Sequence, residues 1–122
     1  SLKELDDIEF GRTIAKEMGG MDVGQTVVIK DKAIVAIEAM EGTDRTILRG
    51  GNIAQHGAVI VKMSKPDQDL RFDVPVIGSR TIKSMIKSKS KCLGVEASKT
   101  LIIDYDLCVK LANKYNICIV GA

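Results

Sequence analysis

Between Gly57 and Gly78 the chain reads GAVIVKMSKPDQDLRFDVPVIG, with Lys62, Lys65, Asp67, Asp69, Arg71 and Asp73 packed into a dozen positions. Carboxylates interleaved with cations, and without a His/Cys cluster, suit magnesium and phosphate better than zinc. A magnesium ion takes one or two carboxylates and fills its shell with water and phosphate oxygens, while Lys and Arg hold the remaining oxygens. If residues 69–74 are extended, Asp69, Arg71 and Asp73 share one face and Leu70, Phe72 and Val74 the other. Neighbours on a face then lie roughly 7 Å apart, too far to share a proton but close enough to face one substrate. Pro75 biases Val74 toward extended geometry and confines the segment to an edge or a strand end. Charge alone does not separate a phosphoryl-transfer enzyme from a sugar-phosphate binder, and a solvated loop with surface ion pairs is the plainer alternative.

The apolar run Ala58 to Val61 reads as a buried strand delivering this segment. A second polar junction, EAMEGTDRTILRGG, places Glu38, Glu41, Thr43 and Asp44 between a strand end and a helix start. Amide groups at such a start favour anions such as phosphate, although a well-capped helix without a ligand explains the same residues. Thr43 or Asp44 is expected to cap that helix and Gly50-Gly51 to close it near Leu48 or Arg49.

The remaining elements follow from periodicity. Leu5, Ile8, Ile14, Ala15 and Met18 predict a helix over 2–18, opened by a Ser1/Glu4 capping box and stopped by Gly19-Gly20. TVVIK and AIVAIEA flank Asp31-Lys32, the spacing of a two-residue hairpin, though Lys is a poor fit where glycine is usual. Ser79 is expected to cap a helix with Ile82, Met85 and Ile86 inward and Lys83, Lys87 and Lys89 solvated. KCLGVEA and TLIID read as strands, Asp104 as the cap of a helix carrying Leu107, Cys108, Leu111, Ala112 and Tyr115, and NICIVGA as a buried closing strand. The order α-β-β-α-β, charged segment, α-β-β-α-β predicts one α/β domain over 1–122, a mixed sheet flanked by helices.

At 122 residues, 45% apolar and 28% charged with a formal net charge of +2, the chain is ordinary for a soluble protein. Its balance of charge, and only Phe10, Phe72, Tyr105 and Tyr115 as aromatics, argue against nucleic acid. Cys92, Cys108 and Cys118 lack C-x-x-C spacing and read as buried free thiols in a reducing cytoplasm. His56, between Gln55 and Gly57, reads as a loop residue. No apolar run approaches a membrane span, and no signal peptide opens the chain.

DIEFGRTIAKEMGGMDVGQTVVIKDKAIVAIEAMEGTDRTILRGG, VKMSKPDQDLRFDVPVIGSRTI and GVEASKTLIID resemble the C-terminal domain of the LpxI-type UDP-2,3-diacylglucosamine pyrophosphatases. The resemblance spans nearly the whole chain. It implies magnesium-dependent hydrolysis of the sugar-nucleotide diphosphate to 2,3-diacylglucosamine 1-phosphate and UMP, in bacterial lipid A synthesis. The family's catalytic aspartate matches Asp73 in RFDVP, which implies metal binding or water activation there. Asp44 is a second catalytic and metal candidate and Glu41 a further metal ligand. Thr43, Lys62, Lys65 and Arg71 are substrate-binding candidates. The family's N-terminal domain is absent from this chain and is the expected partner across the substrate cleft. The resemblance also implies a cytoplasmic protein; peripheral association with the inner membrane and a homodimer are left open. A non-catalytic module for a sugar nucleotide or lipid phosphate, or an interaction domain, remains the alternative.

Overall fold

The computed structural model describes residues 2–65 and 75–122. Ser1 and the Asp67, Asp69, Arg71 and Asp73 portion of the charged segment, with its expected alternation and the capping box at Ser1, lie outside the described residues. Helix α1 (Leu2–Gly20) leads into strands β1 (Thr26–Lys30) and β2 (Ala33–Ile37), helix α2 (Thr43–Ala54) and strand β3 (Val59–Lys62). Strand β4 (Val76–Ile77), helix α3 (Ser79–Lys87), strands β5 (Cys92–Val95) and β6 (Leu101–Ile102), helix α4 (Tyr105–Lys114) and strand β7 (Cys118–Gly121) complete the order.

Five strands form a mixed sheet in the order β2-β1-β3-β5-β7. Strand β1 runs antiparallel to both neighbours, while β3, β5 and β7 are parallel. The C-terminal ends of β2, β3, β5 and β7 therefore share one edge of the sheet with the start of β1. Strand alternation divides the core. Val27, Ile29, Val59, Val61 and Cys92 face α1 through Ile8, Ala15 and Met18. Val28, Ile60 and Leu93 face the layer of α2, α3 and α4 through Ile47, Ile82, Met85 and Cys108. The expected α/β architecture is thus the observed one.

Local expectations needed correction where tertiary contacts intervene. Gly50 and Gly51 do not end α2 but lie inside it, because they are its contact points. A Cβ on Gly50 would fall 2.7 Å from the side chain of Val28, and one on Gly51 2.2 Å from that of Ser88. The helix ends instead at Gln55, whose φ is +72°. Gly19 and Gly20 likewise remain in α1, and left-handed Asp22 makes the turn that follows. Neither Thr43 nor Ser79 is a cap: each is the first helical residue, behind Gly42 and Gly78. Asp104 does precede α4, but in a left-handed conformation without a side-chain cap bond.

The β1–β2 hairpin has both turn residues at positive φ, Asp31 at 51° and Lys32 at 60°, as a type I′ turn requires. A tertiary bond supports the unfavourable Lys32: its N–H donates to Oδ1 of Asp7 at 2.8 Å, satisfying a carboxylate that is only 2% exposed. Strand β6 pairs with β4, a strand absent from the expected order, in a separate two-stranded sheet. Strand β7 is at the sheet edge and partly exposed rather than buried, because it has a neighbour on one side only. Cys92 and Cys108 are buried free thiols as expected, whereas Cys118 on that edge strand is exposed. Burial, then neighbouring Cys118, pushes the Cys92 thiol up to about 12.

The Gly50–Val28 contact makes a test of helix placement. Replacing Gly by Ala gains about 1 kcal/mol of helix propensity, but overpacking a filled core costs about 1–3 kcal/mol. Gly50→Ala should therefore lower unfolding free energy, by up to about 2 kcal/mol, in urea titrations. An increase would show that α2 is not held this close to β1.

Candidate functional site

The shared strand edge collects polar groups that are distant in sequence. Thr26 opens β1 directly opposite Lys62, the last residue of β3. Thr43 is the first residue of α2, and its hydroxyl lies 3.3 Å from that of fully buried Thr26. Glu38, just beyond β2, accepts the Gln25 N–H at 3.3 Å and a long bond from Thr43 Oγ1 at 3.5 Å. The Thr46 hydroxyl donates back to the Gly42 carbonyl at 2.8 Å, steadying the first turn of α2. Its hydroxyl partners draw Thr43 inward, which explains why it does not cap its own helix.

Lys62 is only 9% exposed, and its ammonium donates to the Val76 carbonyl at 2.9 Å. Burial lowers its pKa from the ordinary lysine range, while Glu38 and Asp44 oppose that shift by favouring the charged form. The cation consequently sits between the β3 end, the strand leading to α3, and two carboxylates. Asp44 is half-buried in the first turn of α2, with Arg80 Nε 3.8 Å from its Oδ2. The first turns of α2 and α3 thus meet through opposite charges, and helix starts favour anions.

The other candidates are placed differently. Glu41 binds Arg49 through both carboxylate oxygens, at 2.5 and 3.1 Å, and this pairing holds its carboxyl below the ordinary glutamate range. Arg49 also donates to the Ile37 carbonyl at 3.1 Å, so Glu41 helps clamp the loop from β2 to α2. Lys65 reaches Asp22 Oδ1 at 2.8 Å, toward the end of α1. The structure therefore brings together Thr43, Asp44 and Lys62, whereas Glu41 and Lys65 have their own ion pairs. Arg71 and Asp73 lie outside the described residues. No group of three or more His, Cys, Asp or Glu side chains forms a metal-binding cluster among the described residues.

Sequence reasoning passed over Thr26, Arg80 and Glu96. Thr26 carried only the signal of a polar residue opening an apolar strand, and Arg80 that of a cation in a helical first turn. Glu96 follows β5 and accepts both the N–H and the hydroxyl of Ser64, the former at 2.8 Å, and the ammonium of Lys16 at 2.5 Å. It therefore ties the exit of β3 to β5 and α1. Burial alone would raise the Glu96 carboxyl, but the hydrogen bonds from Lys16 and Ser64 outweigh it and hold the group at about 2. Nothing in the local VEASK sequence announces this role, since Ser64 is 32 positions away.

Two outcomes follow. Because folding depresses the Glu96 pKa from 4.5 to about 2, its stabilisation is present above pH 4.5 and disappears as pH falls toward 2. Glu96→Gln should remove much of that pH dependence and cost about 2 kcal/mol at neutral pH, as read by urea unfolding across pH. An unchanged pH profile would overturn the assignment. Carbon-13 NMR titration should find Lys62 deprotonating below the exposed lysines; an ordinary titration would show that burial does not govern it.

Comparison with known proteins accords with this architecture. The family model described as the LpxI C-terminal domain matches residues 1–120. UDP-2,3-diacylglucosamine pyrophosphatase LpxI of Caulobacter vibrioides is 28% identical over 127 residues, covering 98% of this chain and 45% of that protein. The chain thus spans less than half the length of that relative. Among solved structures, Acinetobacter baumannii RibD superposes with a TM-score of 0.55 at 14% identity, covering 96% of this chain and 35% of that one. That likeness concerns the fold alone.

Proposed function

From a chain that belongs to the LpxI C-terminal domain family, we propose the catalytic domain of a magnesium-dependent hydrolase acting on UDP-2,3-diacylglucosamine. The products are 2,3-diacylglucosamine 1-phosphate and UMP, a step of lipid A synthesis. The carrying observation is the convergence of Thr43, Asp44 and Lys62 on one sheet edge, from which the charged segment also departs.

In this reading Lys62 and the opening amides of α2 hold diphosphate oxygens, and Thr43 fixes the approach through its hydroxyl. An arriving phosphate would favour the charged form of Lys62 against its burial. Arg71 and Lys65 supply further positive charge. Asp73 accepts a proton from water as the water oxygen bonds to the sugar-side phosphorus. The phosphorus–oxygen bond of the anhydride breaks, and UMP departs with the bridging oxygen. Asp44 orients the water or holds the metal.

Asp44 presents the hard carboxylate oxygens magnesium prefers, and that ion needs only one or two from protein. Asp44 and Asp73 are accordingly assigned to it, ahead of Glu41, whose oxygens already bind Arg49. When bound, magnesium supplies neutralisation of the diphosphate charge.

One second reading is a sugar-nucleotide-binding module, favoured by buried Lys62 beside the first turn of α2, which can hold a phosphate without turnover. UMP release, measured with magnesium and with chelator in the polypeptide carrying this chain, separates the two. Asp73→Asn and Asp44→Asn are expected to lower kcat by on the order of 100-fold, with Lys62→Met acting mainly on KM. Calorimetric binding of the substrate without turnover would favour the module; a folded Asp73→Asn protein at full rate would sink the aspartate assignment.

A further inference from the structure

Positive charge on this protein is unevenly distributed. From Ser79 to Lys91 the sequence contains Arg80, Lys83, Lys87, Lys89 and Lys91 and no acidic residue, although the whole chain carries only +2. These residues belong to α3 and the turn after it, and α3 lies between α2 and α4 in the helical layer. Its apolar side is consumed by the core, with Ile82 and Met85 fully buried. Lys83, Lys87 and Lys89 are exposed and have no carboxylate within ion-pair distance among the described residues. Arg45, Arg80, Lys83 and Lys87 line a groove of about 390 Å³ between α2 and α3, in which Asp44 is the acidic group. That acid is partnered by Arg80. By contrast, the cations of the α1 face are paired: Lys3 with Asp31, Arg12 with Glu9, Lys16 with Glu96 and Lys32 with Asp6.

We propose that the outer face of α3, with the α2–α3 groove, is a docking surface for an anionic lipid bilayer. The inference rests on the proposed diacylated substrate, whose acyl chains would keep it in a membrane, and assigns a particular face to meeting that membrane. A layer of side-by-side helices suits a broad, laterally averaged negative surface. Nucleic acid is the poorer fit, because the α2–α3 groove has no aromatic residue in its lining on which a base could stack. Burial of Ile82 and Met85 means that α3 does not insert its apolar stripe; attraction is by charge and is screened by salt. The groove ends at Asp44 and Arg80, beside Thr43 and Lys62, so docking holds the polar site near the lipid surface.

The test is co-sedimentation with phosphatidylglycerol–phosphatidylcholine vesicles and with pure phosphatidylcholine vesicles, at low and high salt. Wild-type protein should partition to the anionic vesicles and release in high salt. Lys83→Gln/Lys87→Gln/Lys89→Gln should lower that partition on the order of 100-fold, from about fivefold per cation. Lys3→Gln/Arg12→Gln/Lys32→Gln, which changes net charge equally on the α1 face, should alter it far less. Equal binding to both vesicle types, no binding, or equal loss in the two triple variants would overturn the proposal. In the polypeptide carrying this chain, the α3 variant should retain hydrolysis of detergent-dispersed substrate while losing rate on anionic vesicles. Vesicle binding without hydrolysis by wild-type protein would instead reject the catalytic reading and leave the docking surface standing.

Discussion

The close seating of α2 on β1 is the constraint on which the candidate site depends. Gly50 has no side chain where Val28 occupies the interface, and Gly51 likewise admits Ser88. With the helix that near the sheet, its first residue reaches the first residue of β1, and Thr43 meets Thr26. A side chain at Gly50 would push α2 off β1, separating those hydroxyls and moving Asp44 away from Lys62. Packing density and polar geometry are therefore one problem here, because interiors transmit displacement rather than absorb it.

Burial of Lys62 is the counterpart of that packing. Its carbon stem belongs to a strand whose other members are fully buried, while its ammonium is satisfied by the Val76 carbonyl and offset by Glu38 and Asp44. A cation removed from water in this way is costly without partners but acts strongly on an incoming anion. Glu96 plays the complementary part a few residues later. Its bonds to Ser64 and Lys16 keep β3, β5 and α1 in step at the edge where the charged segment leaves. Both groups have lowered pKa values but with opposite meaning for the charge: desolvation disfavours the Lys62 cation, whereas at Glu96 the bonds from Lys16 and Ser64 together outweigh desolvation and favour the anion.

Much of the scaffold was legible from short-range pattern. TVVIK, AIVAIEA and the run Ala58 to Val61 were recognisable as strands, and the apolar positions of α1, α3 and α4 followed helical spacing. Thr43, Asp44 and Lys62 were legible as candidates because a helix start and a strand end are local features. Glu96 and Thr26 were not, since their significance comes from Ser64 and Thr43, respectively 32 and 17 positions away. Arg49 similarly claims Glu41 from eight positions along the chain.

By itself, the sequence determined the α/β class, the family blocks and the residue types suited to a phosphate, because periodicity and composition act over neighbouring positions. The tertiary structure decided whether Gly50-Gly51 would stop a helix or seat it, and whether Lys32 could occupy a left-handed turn. It also decided which charges meet: Asp44 stands with Lys62 and Arg80, while Glu41 stands with Arg49. The physical reason is that glycine's missing side chain and an ion's partner take their meaning from what lies across the interface. Adjacency along the chain does not specify that.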